Sequence, residues 1–379
     1  MRRLVVIEAR GGDTVVDRLR RAWDEGDAVL PVDPRLPGPA RRAVLAAARL
    51  DEPVEDGDAL VIATSGTTGA PKAVVLTHGA VAASAHATSR RLGVVPRTDR
   101  WLACLPLAHV GGLSVVTRAL ATGTPVTVHD GFDATAVEAA GRAGCTLVSL
   151  VPTALRRIDP GLFRRVVLGG SAMPADLPPN AVTTYGMTET GSGVVYDGVP
   201  LDGVEVRVVE GEVQLRAPML LRAYRDGTVP MTPDGWYRTG DAGEWDAASG
   251  RLQVFGRIGD VIVTGGEKVW PAAVERVIDR LAGVQEVAVV GRPDPEWGHR
   301  VVAVVVPADR ATPPSLEGLR EAVRRELPAY AAPRQLQLVD ALPRTGSGKV
   351  TRGPLQAPGR DGVPGEEGTP HPGHGVSGR

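Results

Sequence analysis

Short apolar runs recur along the first part of the chain, separated by Gly- and Pro-bearing turns and by stretches with apolar positions three and four residues apart. Residues 59–63 and 73–76 read as two strands joined by a short loop, and residues 79–92 as a helix. Strands follow at 101–105 and 125–129, then a helix at 134–143 and strands at 146–151 and 165–168. Strands alternating with helices predict a layered α/β domain. From Gly203 the period changes. Val204, Val206 and Val208, then Val213 and Leu215, alternate with polar positions around Glu210-Gly211, as half-buried antiparallel strands do. A small β subdomain is expected over about 203–256, closing an N-terminal domain of residues 1–256.

Beyond Phe255, Val274, Val277, Ile278 and Leu281 share one helix face. Strands at 284–290 and 301–306 come next, then a helix capped by Ser315 with Leu316, Leu319 and Val323 facing inward. Residues 257–355 are long enough to fold as a unit, here a small α+β domain. Residues 356–379 are rich in Gly and Pro without an apolar cluster and read as a disordered tail. His371 and His374 there could bind a metal weakly, but a solvated tail explains them more simply.

At 379 residues and 43% hydrophobic content the chain can build two or three cored domains. Lysine and arginine total 43 against 44 acidic residues, so charge offers no reason to expect a nucleic-acid or anionic-membrane partner. Glu8 and Arg10 interrupt the first apolar run before a signal-peptide core could form, and no window approaches the ~18 apolar residues of a membrane span. Cys104 and Cys145 lie in apolar surroundings without metal-ligand spacing, which suits core residues. A cytoplasmic protein with no membrane span and no nucleic-acid partner is expected.

The densest chemistry lies in Thr64-Ser65-Gly66-Thr67-Thr68-Gly69-Ala70-Pro71-Lys72, directly after the strand at 59–63. Glycines let backbone N–H groups approach an anion, hydroxyls add donors, and a lysine supplies a compact charge, so the loop suits a polyphosphate. It is no Walker A loop, because Pro71 precedes the lysine and a strand rather than a helix follows. Taken alone it could equally be an ordinary Gly/Ser/Thr turn.

Further along come Tyr185-Gly186-Met187-Thr188-Glu189-Thr190, Tyr237-Arg238-Thr239-Gly240-Asp241, Gly256-Arg257-Ile258-Gly259-Asp260 and Pro343-Arg344-Thr345-Gly346-Ser347-Gly348-Lys349. In this order the strings resemble the adenylate-forming superfamily of acyl-CoA ligases, luciferases and peptide-synthetase adenylation domains, from about residue 59 to about 355. The resemblance implies a large N-terminal α/β domain and a mobile C-terminal lid. It also implies a carboxylic acid activated by ATP and Mg²⁺ to an acyl-adenylate, then passed to CoA with release of pyrophosphate and AMP.

By the same resemblance, Thr64, Ser65, Gly66, Thr67, Thr68, Gly69 and Lys72 hold the departing phosphates, and Gly169, Gly170 and Ser171 lie at the nucleotide. Tyr185, Gly186 and Thr188 surround the adenine, which stacks on Tyr185, while Glu189 binds Mg²⁺, a hard cation suited to a carboxylate beside phosphate oxygens. Asp241 takes the ribose hydroxyls and Arg257 supports ribose or phosphate. Lys349 is the adenylation lysine, Gly259 the lid hinge, and Gly265 and Gly266 line the pantetheine tunnel. Each has a plainer account: a helix-start glutamate, a turn aspartate, an exposed ion pair, a surface lysine.

Pro106-Leu107-Ala108-His109-Val110-Gly111-Gly112-Leu113 is similar to the superfamily's acid-gating segment, with His109 as the gate. No acidic side chain lies between Pro106 and Arg118 to hold an amino-acid ammonium, whereas Ser114, Thr117 and Arg118 bring hydroxyls and a cation suited to a second carboxylate. In this the chain most resembles the superfamily's o-succinylbenzoate ligases of menaquinone biosynthesis. Alternatively Arg118 faces solvent on a helix. A ligase for another aryl or short-chain acid, and a non-catalytic nucleotide-binding protein, remain alternatives. The phosphate loop begins earlier than in most relatives, which implies a shortened first subdomain and leaves the CoA nucleotide site and the surface of an expected homodimer unassigned.

Overall fold

A computed structural model describes residues 2–64, 71–170, 176–344 and 350–357. It shows the expected α/β architecture with a separately cored C-terminal unit. The tail, with His371 and His374, lies outside the described residues beyond Ala357.

Residues ahead of the phosphate loop, for which the sequence pattern gave no elements, form a strand–helix–strand–helix unit: Leu4–Glu8, Asp13–Asp24, Ala28–Val32 and Gly38–Ala48. Val15, Val16, Leu19 and Ala22 of its first helix face the core. The two strands are parallel and extend through Asp58–Thr64 and the antiparallel strand Lys72–Thr77 to the short strand Ala223–Tyr224.

A second sheet holds Trp101–Ala103, Val126–Val128, Leu147–Leu150, Arg165–Leu168 and Ala181–Met187 in parallel, with Ser192–Tyr196 and Val199–Pro200 added antiparallel. Several of its parallel strands are buried along their whole length, as strands covered on both faces must be. Helices His78–Leu92 and Val110–Thr122 pack on each other, the first reaching both sheets and the second the seven-stranded one. Arg118 and Ser114 are thereby carried into the buried layer, facing Gly191 and Leu76 across a narrow cavity.

Glu205–Val209 and Glu212–Arg216, the two strands read from the period-two pattern, pair with each other and are joined by Tyr237–Trp245 and Leu252–Arg257 in an antiparallel four-stranded sheet. The C-terminal unit pairs Ile262–Thr264, Glu267–Val269, Val284–Asp294, Gly298–Pro307 and Gln335–Leu338 in one sheet. Helices Pro271–Ile278 and Leu316–Glu326 cover one face through Val274, Val277, Ile278, Leu319 and Val323. Ser315 caps the second helix, its Oγ accepting from Gly318 N–H at 3.1 Å. Contacts that join the unit to the rest include an Arg156–Asp279 ion pair, and Phe255 stacked on Trp270 at 5.7 Å between ring centroids.

Cys104 and Cys145 are buried free thiols. No helix among the described residues is long and apolar enough to cross a membrane.

Candidate active site

The hairpin Asp58–Thr64 to Lys72–Thr77 places Thr64 opposite Lys72, with Thr64 Oγ1 donating to Lys72 O at 3.3 Å. Ser65, Gly66, Thr67, Thr68 and Gly69 lie outside the described residues, as do Ser171 and Lys349. Lys72 Nζ sits 4.9 Å over the centroid of the Tyr224 ring.

Glu189 stands in a turn directly after strand Ala181–Met187. The buried Thr190 clamps that turn: its Oγ1 accepts from Met187 N–H at 2.9 Å and approaches Ser192 O at 2.6 Å. Gly186 is required here, because a Cβ would lie 2.2 Å from Ser192 O and push the two hairpin strands apart. Glu189 Oε1 accepts from the Tyr224 hydroxyl at 2.8 Å, and Tyr237 hydrogen-bonds Tyr224 in turn. Among the described residues no cluster of three metal-ligating side chains occurs.

Tyr185, on the strand leading to Glu189, donates to Asp241 Oδ2 at 2.8 Å. Burial, with the adjacent Asp241 charge, raises the Tyr185 hydroxyl well above its usual pKa, so it stays a donor. Asp241 is itself buried, and Arg257 Nε lies 3.0 Å from its Oδ1. Strand register makes the pair, Asp241 standing opposite Arg257, while Arg257 Nη1 donates to Thr239 O at 2.7 Å. Arg257 is thus ion-paired to a buried carboxylate while its own side chain is 45% exposed. Gly169 and Gly170 follow strand Arg165–Leu168 at the same end of the sheet, Gly169 N–H donating to Leu150 O at 3.2 Å. Thr188 opens the Glu189 turn.

His109 caps helix Val110–Thr122, and its backbone carbonyl accepts from Leu113 N–H at 2.9 Å. Arg35 hydrogen bonds, with a smaller contribution from His109, lower the pKa of Asp33. Arg118, far from facing solvent, is 2% exposed. Its guanidinium carbon lies 4.8 Å over the Trp101 ring, and Nη2 donates to Ser192 Oγ at 3.0 Å. Ser192 Oγ in turn contacts Ser114 Oγ at 3.5 Å. Among the described residues Nε and Nη1 of Arg118 have no hydrogen-bond partner, a rare condition for a buried cation, and burial lowers the guanidinium's pKa. The cavity beside it is lined by Leu60, Ile62, Val81, Leu113 and Thr117.

Gly265 and Gly266 form the two-residue turn of hairpin Ile262–Thr264/Glu267–Val269, both with positive φ, so the fold by itself demands glycine there. Gly259 keeps a φ outside the left-handed region, and a Cβ on it would meet nothing. Gly256, three residues earlier, is the one held at a positive φ, +131°.

The AMP-binding enzyme family model matches residues 15–224, and the AMP-binding enzyme C-terminal domain model matches residues 273–349. The chain belongs to the AMP-binding enzyme family. Among similar family members is the probable 2-succinylbenzoate–CoA ligase of Mycobacterium tuberculosis, 38% identical over 94% of this chain and 97% of its own length. The 2-succinylbenzoate–CoA ligase of Enterococcus faecalis is 32% identical over 78% of this chain and 68% of its own. The solved o-succinylbenzoate CoA synthetase (MenE) of Bacillus subtilis, in complex with the acyl-adenylate intermediate OSB-AMP, superposes with a TM-score of 0.83 at 26% identity, covering 94% and 89% of the two chains. Three side chains at the site escaped the sequence reading: Tyr224, Ser192 and Trp101. None belongs to the strings singled out in the sequence, and it is the pairing of distant strands that brings Tyr224 to Lys72 and Glu189.

Proposed function

We propose that this protein is an ATP-dependent acid–CoA ligase acting on o-succinylbenzoate in menaquinone biosynthesis. The observation that carries the substrate is Arg118, a buried guanidinium beside Ser114 whose Nε and Nη1 have no hydrogen-bond partner among the described residues. A second carboxylate on the acid would supply its missing counter-charge. The relatives described above are named for this acid, and the Bacillus subtilis structure holds its adenylate.

In the adenylation step a carboxylate oxygen of the acid attacks the α-phosphorus of ATP, and the bond to the pyrophosphate oxygen breaks. Thr64 to Gly69 and Lys72 would hold the departing phosphates and Gly169, Gly170 and Ser171 the nucleotide, stabilising charge through positioned donors. Tyr185, Gly186 and Thr188 would seat the adenine. Asp241, oriented by Tyr185 and Arg257, would accept from the ribose hydroxyls. Glu189 fits a divalent cation, since the Tyr224 hydroxyl engages one oxygen and no hydrogen bond engages the other among the described residues; Mg²⁺ bound there would neutralise developing phosphate charge. Lys349 would bring carboxylate and α-phosphate together, and His109 would gate the acid. In the second step the CoA thiol, passing Gly265 and Gly266 after the lid turns at the 256–260 segment about Gly259, attacks the acyl carbon and AMP leaves.

Residues 1–256 form the nucleotide- and acid-binding domain and 257–355 the lid in this proposal, in a cytoplasmic enzyme. A homodimer is part of it, to be read by sedimentation equilibrium.

Pyrophosphate release is measured with ATP, Mg²⁺ and a panel of carboxylic acids, each with and without CoA. Release dependent on o-succinylbenzoate, with thioester formed only when CoA is present, is the expected result. Release with a different aryl or short-chain acid would move the substrate and keep the chemistry. No release with any acid would leave a nucleotide-binding protein.

A further inference from the structure

Tyr224 belongs to none of the motif strings, yet it touches both halves of the phosphate machinery. Its hydroxyl donates to Glu189 Oε1 at 2.8 Å, and Lys72 Nζ lies 4.9 Å over its ring. Strand pairing brings this about. Tyr224 stands opposite Val74 in an antiparallel pair, so Lys72, two residues from Val74 on the same sheet face, is its diagonal neighbour. Leu221 N–H donates to Glu189 O at 2.7 Å and fastens the segment entering Tyr224 to the glutamate's turn.

Tyr224 is buried, and so is Tyr237, which hydrogen-bonds its hydroxyl. Burial, with the neighbouring Glu189 charge, raises the pKa of the Tyr224 hydroxyl, which therefore remains a donor. A carboxylate that must meet a cation and a lysine that must meet a phosphate are both long, rotatable groups. Each is restrained here by a different part of one rigid ring.

We propose that Tyr224 is a positioning residue coupling the cation-binding carboxylate of Glu189 to Lys72: its hydroxyl fixes one carboxylate oxygen and turns the other outward, and its ring face holds the ammonium. The inference rests on the reading of Glu189 as the Mg²⁺ ligand and Lys72 as a phosphate ligand. Since hydroxyl and ring are separable by substitution, so are the two effects.

The test is calorimetric binding of ATP to the full chain at a series of Mg²⁺ concentrations, without acid, alongside binding of AMP without metal. Tyr224→Phe keeps the ring and should raise the Mg²⁺ concentration for half-maximal tightening of ATP by about tenfold, the low end of what losing an outer-shell partner costs a metal site. AMP affinity should not move. Tyr224→Leu should add a roughly two- to fivefold weakening of ATP binding at saturating Mg²⁺, from loss of the ring under the ammonium. Glu189→Gln separates the two levels of the argument. If it leaves the Mg²⁺ dependence unchanged, the reading of the site fails. If Glu189→Gln shifts the dependence and Tyr224→Phe does not, the role of Tyr224 is overturned and the site stands. Equal losses of ATP and AMP affinity in Tyr224→Phe, with an unmoved Mg²⁺ dependence, would mark a merely structural tyrosine and also overturn it. Should Tyr224→Leu not fold, Tyr224→Phe alone decides.

Discussion

Asp241 and Arg257 face each other across adjacent antiparallel strands, with Nε of the arginine 3.0 Å from Oδ1 of the aspartate. Their separation in sequence is bridged by one turn of the β subdomain, so the two motifs are halves of one feature. The aspartate is buried while the arginine side chain is 45% exposed, so the pair trades little with water on one side only.

Removing the arginine leaves a buried carboxylate short of a charged partner, and the effect falls on the nucleotide. Arg257→Gln is expected to lower kcat/KM for ATP by roughly 10- to 100-fold, the range for a hydrogen bond to a charged group. Asp241→Asn should weaken AMP binding to a similar degree, because the amide presents a donor where a ribose hydroxyl needs an acceptor. Calorimetric AMP titration of both variants checks this; unchanged AMP affinity in Asp241→Asn would remove Asp241 from the ribose site.

Arg118 should behave in the opposite way with respect to stability. A buried cation with two nitrogens unpartnered among the described residues costs folding energy, so Arg118→Met, of similar shape, is expected to leave Tm unchanged or raise it. The same variant should lose about 10- to 100-fold in kcat/KM for o-succinylbenzoate. Its rate with an aryl acid carrying a single carboxylate should hardly change. A variant impaired equally with both acids would place Arg118 outside substrate recognition.

The Glu189 turn and the Asp241 and Arg257 strings stood out because glycine, hydroxyl and charge crowd into short windows whose chemistry is local. Arg118 was legible as a cation near the acid segment, but its burial was not: that depends on Trp101 and Ser192, which reach it from two other strands. Tyr224 was invisible for the same reason, lying in a two-residue strand whose meaning comes from pairing with Val74 and Val75. The unit built from residues 4–48 was passed over as well; its strand Ala28–Val32 is an unbroken buried run with no period to read.

Asp99 anchors the turn after helix His78–Leu92. Its carboxylate accepts from Arg164 at 2.6 and 2.9 Å, from Thr146 Oγ1 at 2.8 Å and from Val95 N–H at 2.8 Å. Burial alone would raise its pKa, but these partners outweigh it and the pKa is lowered. A depressed carboxylate contributes stability that is present above the unfolded value of 3.8 and is lost as pH falls below it. Asp99→Ala is expected to cost about 1.5–3 kcal/mol at pH 7 by urea denaturation, and the difference from wild type should shrink toward pH 3.

Cys104 is pushed up to about 12 by burial, so its thiol stays protonated and shielded. Alkylation at pH 8 should label neither cysteine in the native protein and both in denaturant. The linkage runs opposite to that of Asp99. With the folded value raised from 9.0, the stabilising contribution is complete below pH 9 and lost as pH rises toward 12. Cys104→Ala, which removes the titrating group, should therefore lose less stability than wild type between pH 8 and pH 11.

Two glycines compete for the hinge. Gly259 has open space around a Cβ and an ordinary φ, so Gly259→Ala restricts only the unfolded chain and should raise stability by about 0.4–1 kcal/mol. Gly256 is held at φ +131°, where alanine is strained, and Gly256→Ala should destabilise by more than that gain. The two half-reactions then distinguish the pivot. If lid rotation turns on Gly259, its alanine variant slows thioester formation from a preformed adenylate and leaves pyrophosphate release alone. If rotation turns on Gly256, Gly259→Ala leaves both steps at wild-type rates, while Gly256→Ala, assayed below its lowered Tm, slows the second step only. Single-turnover measurement of both steps in each variant decides between them, because a loss that comes from instability would fall on both steps together.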